Sequence, residues 1–149
     1  MFEDQITKIK RWMLERFRRT YMVGTMEKFI LISVGAILGA SLRYWLGDWV
    51  AQRLGASYPY GNLIINLSGS FVLGLFMTLV TERFLVDPHW RIAVAVGFLG
   101  SYTTFSSYTY ESVNLIMNGY SMLGLLNLFG SSLLGGLAVL VGVFFGRLI

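Results

Sequence analysis

The sequence predicts an all-α integral membrane protein built on four transmembrane helices. Three observations carry this reading. Of 149 residues, 55% are hydrophobic and only 13% are charged, about half the charged share of an average soluble domain. Mean hydropathy is +0.62. The apolar residues fall into four blocks, each near the roughly 20 residues that a helix needs to cross the hydrocarbon core. The connections are short, which makes neighbouring helices antiparallel and leaves no room for a soluble domain.

Residues 1–25 form a separate basic segment. Lys8, Lys10, Arg11, Arg16, Arg18 and Arg19 are mixed with Ile6, Ile9, Trp12, Met13 and Phe17 at near-helical spacing. That pattern predicts an amphipathic helix on an anionic membrane surface. The competing reading is a true start at Met22 or Met26. No small-residue cleavage site follows, so the segment does not read as a secretory signal.

Residues 26–149 form the membrane domain. Its first span covers about Phe29 to Leu54, apolar as far as Ser41 and then marked by Arg43, Asp48 and Arg53. The second, about Leu63 to Val80, follows the turn Ser57-Tyr58-Pro59-Tyr60-Gly61. The third covers about Ile92 to Met117 and the fourth about Met122 to Ile149. Glycines punctuate the first, second and fourth spans: Gly35 and Gly39, Gly69 and Gly74, then Gly130, Gly135, Gly136 and Gly142. In lipid such residues let backbones approach closely, so they predict tight packing.

Several chemistries are excluded. There is no cysteine, so disulfides and thiolate sites are absent. The single histidine, His89, sits in the charged stretch Asp87-Pro88-His89-Trp90-Arg91 and reads as solvated. No nucleophile–His–Asp set, HExxH or phosphate-cradling loop is present, so the chain is not expected to be an enzyme. The net charge of +4 collects in the leader and at helix ends. That distribution points to lipid headgroups and topology, not to nucleic acid.

Three features interrupt the apolar pattern. In GFLGSYTTFSSYTYES, residues 97–112, glycines and hydroxyls crowd into the third span. Such residues weaken a helix, and a break inside a membrane frees backbone groups that protein, ions or water must satisfy. Serine and threonine bonded back to their own helix, with a mere bend, is the alternative. Asn66 lies near the centre of the second span. Its amide either donates to an anion or pins two helices together. Arg43 and Glu111 are charges inside spans, expected to pair with each other or to anchor helices structurally.

Three patches together resemble the Fluc-type bacterial fluoride channels. They are Gly35-Ala36-Ile37-Leu38-Gly39-Ala40-Ser41-Leu42-Arg43-Tyr44, then Gly61-Asn62-Leu63-Ile64-Ile65-Asn66-Leu67-Ser68-Gly69, then Gly97-Phe98-Leu99-Gly100-Ser101-Tyr102-Thr103-Thr104-Phe105-Ser106. The resemblance spans residues 26–149. It implies an antiparallel, dual-topology homodimer in the cell inner membrane, with a broken third helix and two fluoride pores. Carried over by position, the pore residues are Asn66, Phe105, Ser106 and Tyr108, with a polar track at Asn127 and Ser131. The carbonyls of Gly100 and Thr103 would hold one structural Na⁺ at the dimer interface. Tyr108 departs from the family, which usually has phenylalanine there.

The implied function is passive export of cytoplasmic fluoride, which lowers its toxicity. Fluoride is small and strongly hydrated, so a pore must replace its water with donors that bind weakly enough to release it. Hydroxyls, an amide and aromatic edges supply such neutral donors. A four-helix proton-coupled multidrug exporter is the main rival. It would need a membrane-embedded acid in the first helix, where only Glu27 and Asp48 stand near the ends. A non-transporting scaffold would explain the glycines and leader but not the TTFS run. Outside the leader, Lys28, Arg83, Arg91 and Arg147 on one side nearly balance Arg53 and Arg43 on the other. That weak bias suits insertion both ways, whereas the leader's six basic residues favour the N-terminus inside.

Overall fold

The computed structural model describes residues 2–55, 57–84 and 87–149, with side chains from residue 24 onward except at position 83. Helix α1 runs unbroken through Phe2–Leu54, 53 residues. At 1.5 Å per residue that is about 80 Å, more than twice the hydrocarbon thickness. The amphipathic face expected of the leader lies outside the described side chains. Helix α2 covers Tyr60–Thr78 and continues as a π-helical turn, π1, over Leu79–Arg83. Then come α3 (Pro88–Arg91), a π-helical stretch π2 (Ile92–Leu99) and one α-turn, α4 (Gly100–Tyr102). Helix α5 covers Phe105–Met117. The last rod is α6 (Ser121–Leu125), π3 (Leu126–Gly130) and α7 (Ser131–Leu148). No strand occurs among the described residues.

Among the described residues, three helical segments are long and apolar enough to cross a membrane: Gly24–Leu54, Tyr60–Glu82 and Ser121–Leu148. The stretch expected to form the third span is not a single helix of that kind. It is divided at Thr103 and Thr104, whose backbones are extended (φ −80°, ψ 155° and φ −146°, ψ 119°).

The ends of the rods follow from local chemistry. Gly55 takes φ +82° and donates its N–H to the Ala51 carbonyl, closing α1. Gly119 takes φ +88°. Its N–H meets the Ile116 carbonyl and the Tyr120 N–H meets that of Leu115, the two-bond glycine stop of a helix. At the start of α3, the Asp87 carboxylate accepts from the His89 N–H, with Pro88 at the first helical position. That backbone bond holds the Asp87 carboxyl below the usual carboxylate range.

Backbone-to-backbone packing at glycine joins the rods. A Cβ on Gly39 would stand 2.1 Å from the Phe98 carbonyl oxygen, so α1 rests directly on π2. One on Gly74 would stand 2.4 Å from the Val139 carbonyl oxygen, and one on Gly142 2.2 Å from that of Phe71. Helices α2 and α7 therefore touch along a seam that no side chain separates. A Cβ on Gly130 or Gly136 would meet nothing within 4 Å beyond its own helix. Gly142→Val is expected to force the seam apart, costing about 1–3 kcal/mol or more because backbone blocks the new methyl groups. Thermal unfolding in detergent should show a marked fall for Gly142→Val and little change for Gly130→Ala.

Charges gather at one end of the bundle. Glu27 faces His89, and Glu82 takes two hydrogen bonds from the Arg147 guanidinium. The middle of α1 at Glu27, the segment leading into α3 and the end of α7 thus share one side.

Candidate functional site

Where the α-helix stops at Tyr102, the ladder of backbone bonds has to end and restart. Thr104 is 8% exposed, so its free N–H and C=O need protein partners. Asn66, one rod away on α2, supplies both. Its Nδ2 donates to the Thr104 carbonyl at 3.1 Å, and the Thr104 N–H donates to Asn66 Oδ1 at 2.8 Å. A side-chain amide matches a backbone amide group for group. The approach is possible because Gly69, one turn along α2, has no side chain. A Cβ there would fall 2.3 Å from Thr103 Cγ2.

Thr104 also starts α5. Its Oγ1 accepts from the Ser107 N–H and donates to Ser107 Oγ at 3.0 Å, while Ser106 Oγ lies 3.5 Å away. Two carbonyls thereby lose their usual helical donors. The Thr104 N–H would ordinarily close onto Gly100 and the Ser107 N–H onto Thr103. Both are used elsewhere.

The interruption opens onto a groove of about 430 Å³ between α2, the α4–α5 junction and α7. Asn66, Thr104, Phe105, Tyr108 and Ser131 are on its wall, and no charged side chain is. Phe105 is 77% exposed, with its ring edge-on to Tyr108 at 5.5 Å between centroids. Tyr108 is buried. Its hydroxyl donates to the Leu128 carbonyl at 2.8 Å and also lies 2.8 Å from Ser132 Oγ.

Asn127, placed by position on the polar track, is 2% exposed and fully engaged. Its Nδ2 donates to Ser112 Oγ, while its Oδ1 accepts from the Tyr58 and Ser131 hydroxyls. Ser112 in turn donates to the Tyr108 carbonyl. Burial pushes the Tyr58 phenol up. One amide thereby ties the turn before α2 to α5 and α7. In the sequence Ser112 belongs only to the hydroxyl run and Tyr58 only to the turn before α2, and Ser132 carries no signal of its own. The i, i+4 spacing of Tyr108 with Ser112 was the available signal for one of them.

Arg43 and Glu111 do not meet. Among the described residues the ion pairs join His89 to Glu27 and to Asp87, and Arg147 to Glu82. Glu111 lines a second cavity of about 310 Å³ with Tyr58, Asn62 and Asn114. Its Oε2 is buried without a hydrogen-bond partner. The first-helix acids lie away from the groove. Asp48 is exposed and accepts from Gln52, and Glu27 faces His89.

The sequence profile of the family described as CrcB-like protein, Camphor Resistance (CrcB), matches residues 30–143. Relatives called fluoride-specific ion channel FluC are similar along most of their length. One from Sulfurihydrogenibium sp. (strain YO3AOP1) is 49% identical over 119 residues, covering 78% of this chain and 96% of the relative. One from Solibacter usitatus (strain Ellin6076) is 45% identical over 120 residues, covering 80% and 98%. One from Koribacter versatilis (strain Ellin345) is 50% identical over 94 residues, covering 63% and 75%.

Proposed function

The chain belongs to the CrcB-like family, and we propose from this that it is a fluoride-specific ion channel, a membrane transporter and not an enzyme. The carrying observation is its similarity to relatives of that name over more than nine tenths of their length. The uncharged, hydroxyl-rich groove supports it. A fixed cation beside fluoride would bind it too tightly to release, whereas weak neutral donors permit exchange. A proton-coupled exporter gains no support from Glu27 or Asp48, since neither lines the groove.

In this reading the two arms on either side of Thr103 and Thr104 form one discontinuous span of a four-span subunit in the cell inner membrane. Two subunits pair antiparallel as a dual-topology homodimer, and each pore is lined by both. The groove, with Asn66, Phe105 and Tyr108 near the interruption and Ser131 on α7, is one wall, and Ser106 stands beside Thr104 outside that lining. Asn127 acts behind that wall by holding Ser131.

The Gly100 and Thr103 carbonyls fit a structural Na⁺, because their ordinary helical donors are taken by Asn66 and Thr104. Bound there, the ion would contribute positive potential without a basic side chain. The protein's own residues replace water around the anion, and the fixed backbone at Thr104 orients them.

Growth of fluoride-sensitive cells in acidic medium tests the function. Acid entry loads cells with HF, which dissociates inside, so expression should restore growth in fluoride. Failure to restore it, with protein present in the membrane, would contradict the reading. Deleting residues 1–25 should leave rescue and insertion in place and make insertion more evenly two-sided, as seen by C-terminal topology reporters. One orientation both with and without the leader would contradict dual topology.

A further inference from the structure

Three oxygens form a triangle at the tip of Tyr108. The Tyr108 hydroxyl lies 2.8 Å from the Leu128 carbonyl oxygen and 2.8 Å from Ser132 Oγ, and Ser132 Oγ lies 2.9 Å from the same carbonyl. Two of the three carry a proton, whereas the carbonyl can only accept. One proton suffices for the carbonyl. The triangle therefore holds one donor more than its obligate acceptor requires. Tyr108 and Ser132 both line the groove. Tyr108 is buried and held in place, and Ser132 is the exposed member.

We propose that Ser132 is an anion-contacting donor of the groove, released for that task by the Tyr108 hydroxyl on the Leu128 carbonyl. The proposal rests on the fluoride-conduction reading. While Tyr108 covers the carbonyl, Ser132 can turn its proton to a passing anion and the Leu128 carbonyl keeps a hydroxyl donor. With phenylalanine at 108 the carbonyl falls to Ser132, in the usual back-bond of a helical serine to the residue four before it. The groove then loses its spare donor. With alanine at 132, Tyr108 still covers the carbonyl and again nothing is left to give. The two residues work as a unit.

Fluoride efflux from liposomes, measured for the wild type, Tyr108→Phe, Ser132→Ala and the double variant, tests this. Each single substitution should slow efflux about two- to tenfold, the range for one neutral hydrogen bond. The double variant should fall by the same factor, not by the product. The half-saturating fluoride concentration should rise in step, a change that loss of folded protein does not produce. Ser132→Thr, which keeps the hydroxyl, should stay near the wild type. A single variant at the wild-type rate, multiplicative effects in the double variant, or a threonine as slow as alanine would each overturn the proposal. A wild-type protein that carries no fluoride overturns the conduction reading, and the proposal with it.

Discussion

Asn66→Ala is expected to stop fluoride flux without unfolding the protein. The Asn66 amide makes both hydrogen bonds that the backbone of Thr104 lacks where the helix is interrupted. Leaving a buried donor or acceptor unpaired costs about 1–3 kcal/mol each. Two such groups side by side are enough to shift the start of α5, and with it Phe105 and Tyr108. Conduction should fall by about a hundredfold or more. Asn66→Asp is expected to be as poor, because a carboxylate still accepts from the Thr104 N–H but faces the Thr104 carbonyl with no proton to offer. Efflux from liposomes, with oligomeric state followed by size-exclusion chromatography, checks both. Wild-type flux in Asn66→Ala would show that the amide pair only packs.

Phe105→Ile should come next in severity. The Phe105 ring is largely exposed at the head of α5 and meets Tyr108 edge-on. An aromatic edge carries partial positive charge and attracts an anion, whereas a branched aliphatic side chain has no such edge. The substitution removes no hydrogen bond and little buried surface, so the subunit should fold normally while flux drops far below the wild type. Tyr108→Ile should behave alike, with Tyr108→Phe losing no more than about tenfold because only one neutral hydrogen bond goes. Normal flux in Phe105→Ile or Tyr108→Ile would move that ring from the groove to a lipid or packing role.

Much of this arrangement was legible in the residues, and the rest was hidden for identifiable reasons. Apolar blocks and short connections mark the long rods, since period and length suffice to recognise a membrane-crossing helix. Gly39, Gly74 and Gly142 mark contact seams, though which seam each serves depends on three-dimensional register. Gly130 and Gly136 look the same in sequence, yet a Cβ on either would point into open space. Asn66 was open between anion donor and helix pin. Its two bonds to Thr104 show an amide at the interruption itself, with an accept-and-donate match that one-dimensional spacing cannot reveal. Asn127 is similar. Ser131 lies one turn on in the same rod, but nothing in Asn-Leu-Phe-Gly says that hydroxyls from two other segments, Tyr58 and Ser112, converge on it. The π-helical stretches have no residue signature here either, because a one-residue change of hydrogen-bond register is decided by what the neighbouring rod offers.

Passive fluoride movement through the purified protein can be measured directly. Liposomes containing the protein are loaded with potassium fluoride, diluted into fluoride-free buffer, and given valinomycin to remove the electrical restraint. A fluoride electrode follows the external solution. Rapid efflux without an imposed proton gradient, absent from protein-free liposomes and lost in Asn66→Ala, is the predicted result. No efflux above protein-free liposomes, or movement only of a hydrophobic cation driven by a proton gradient, would contradict the account.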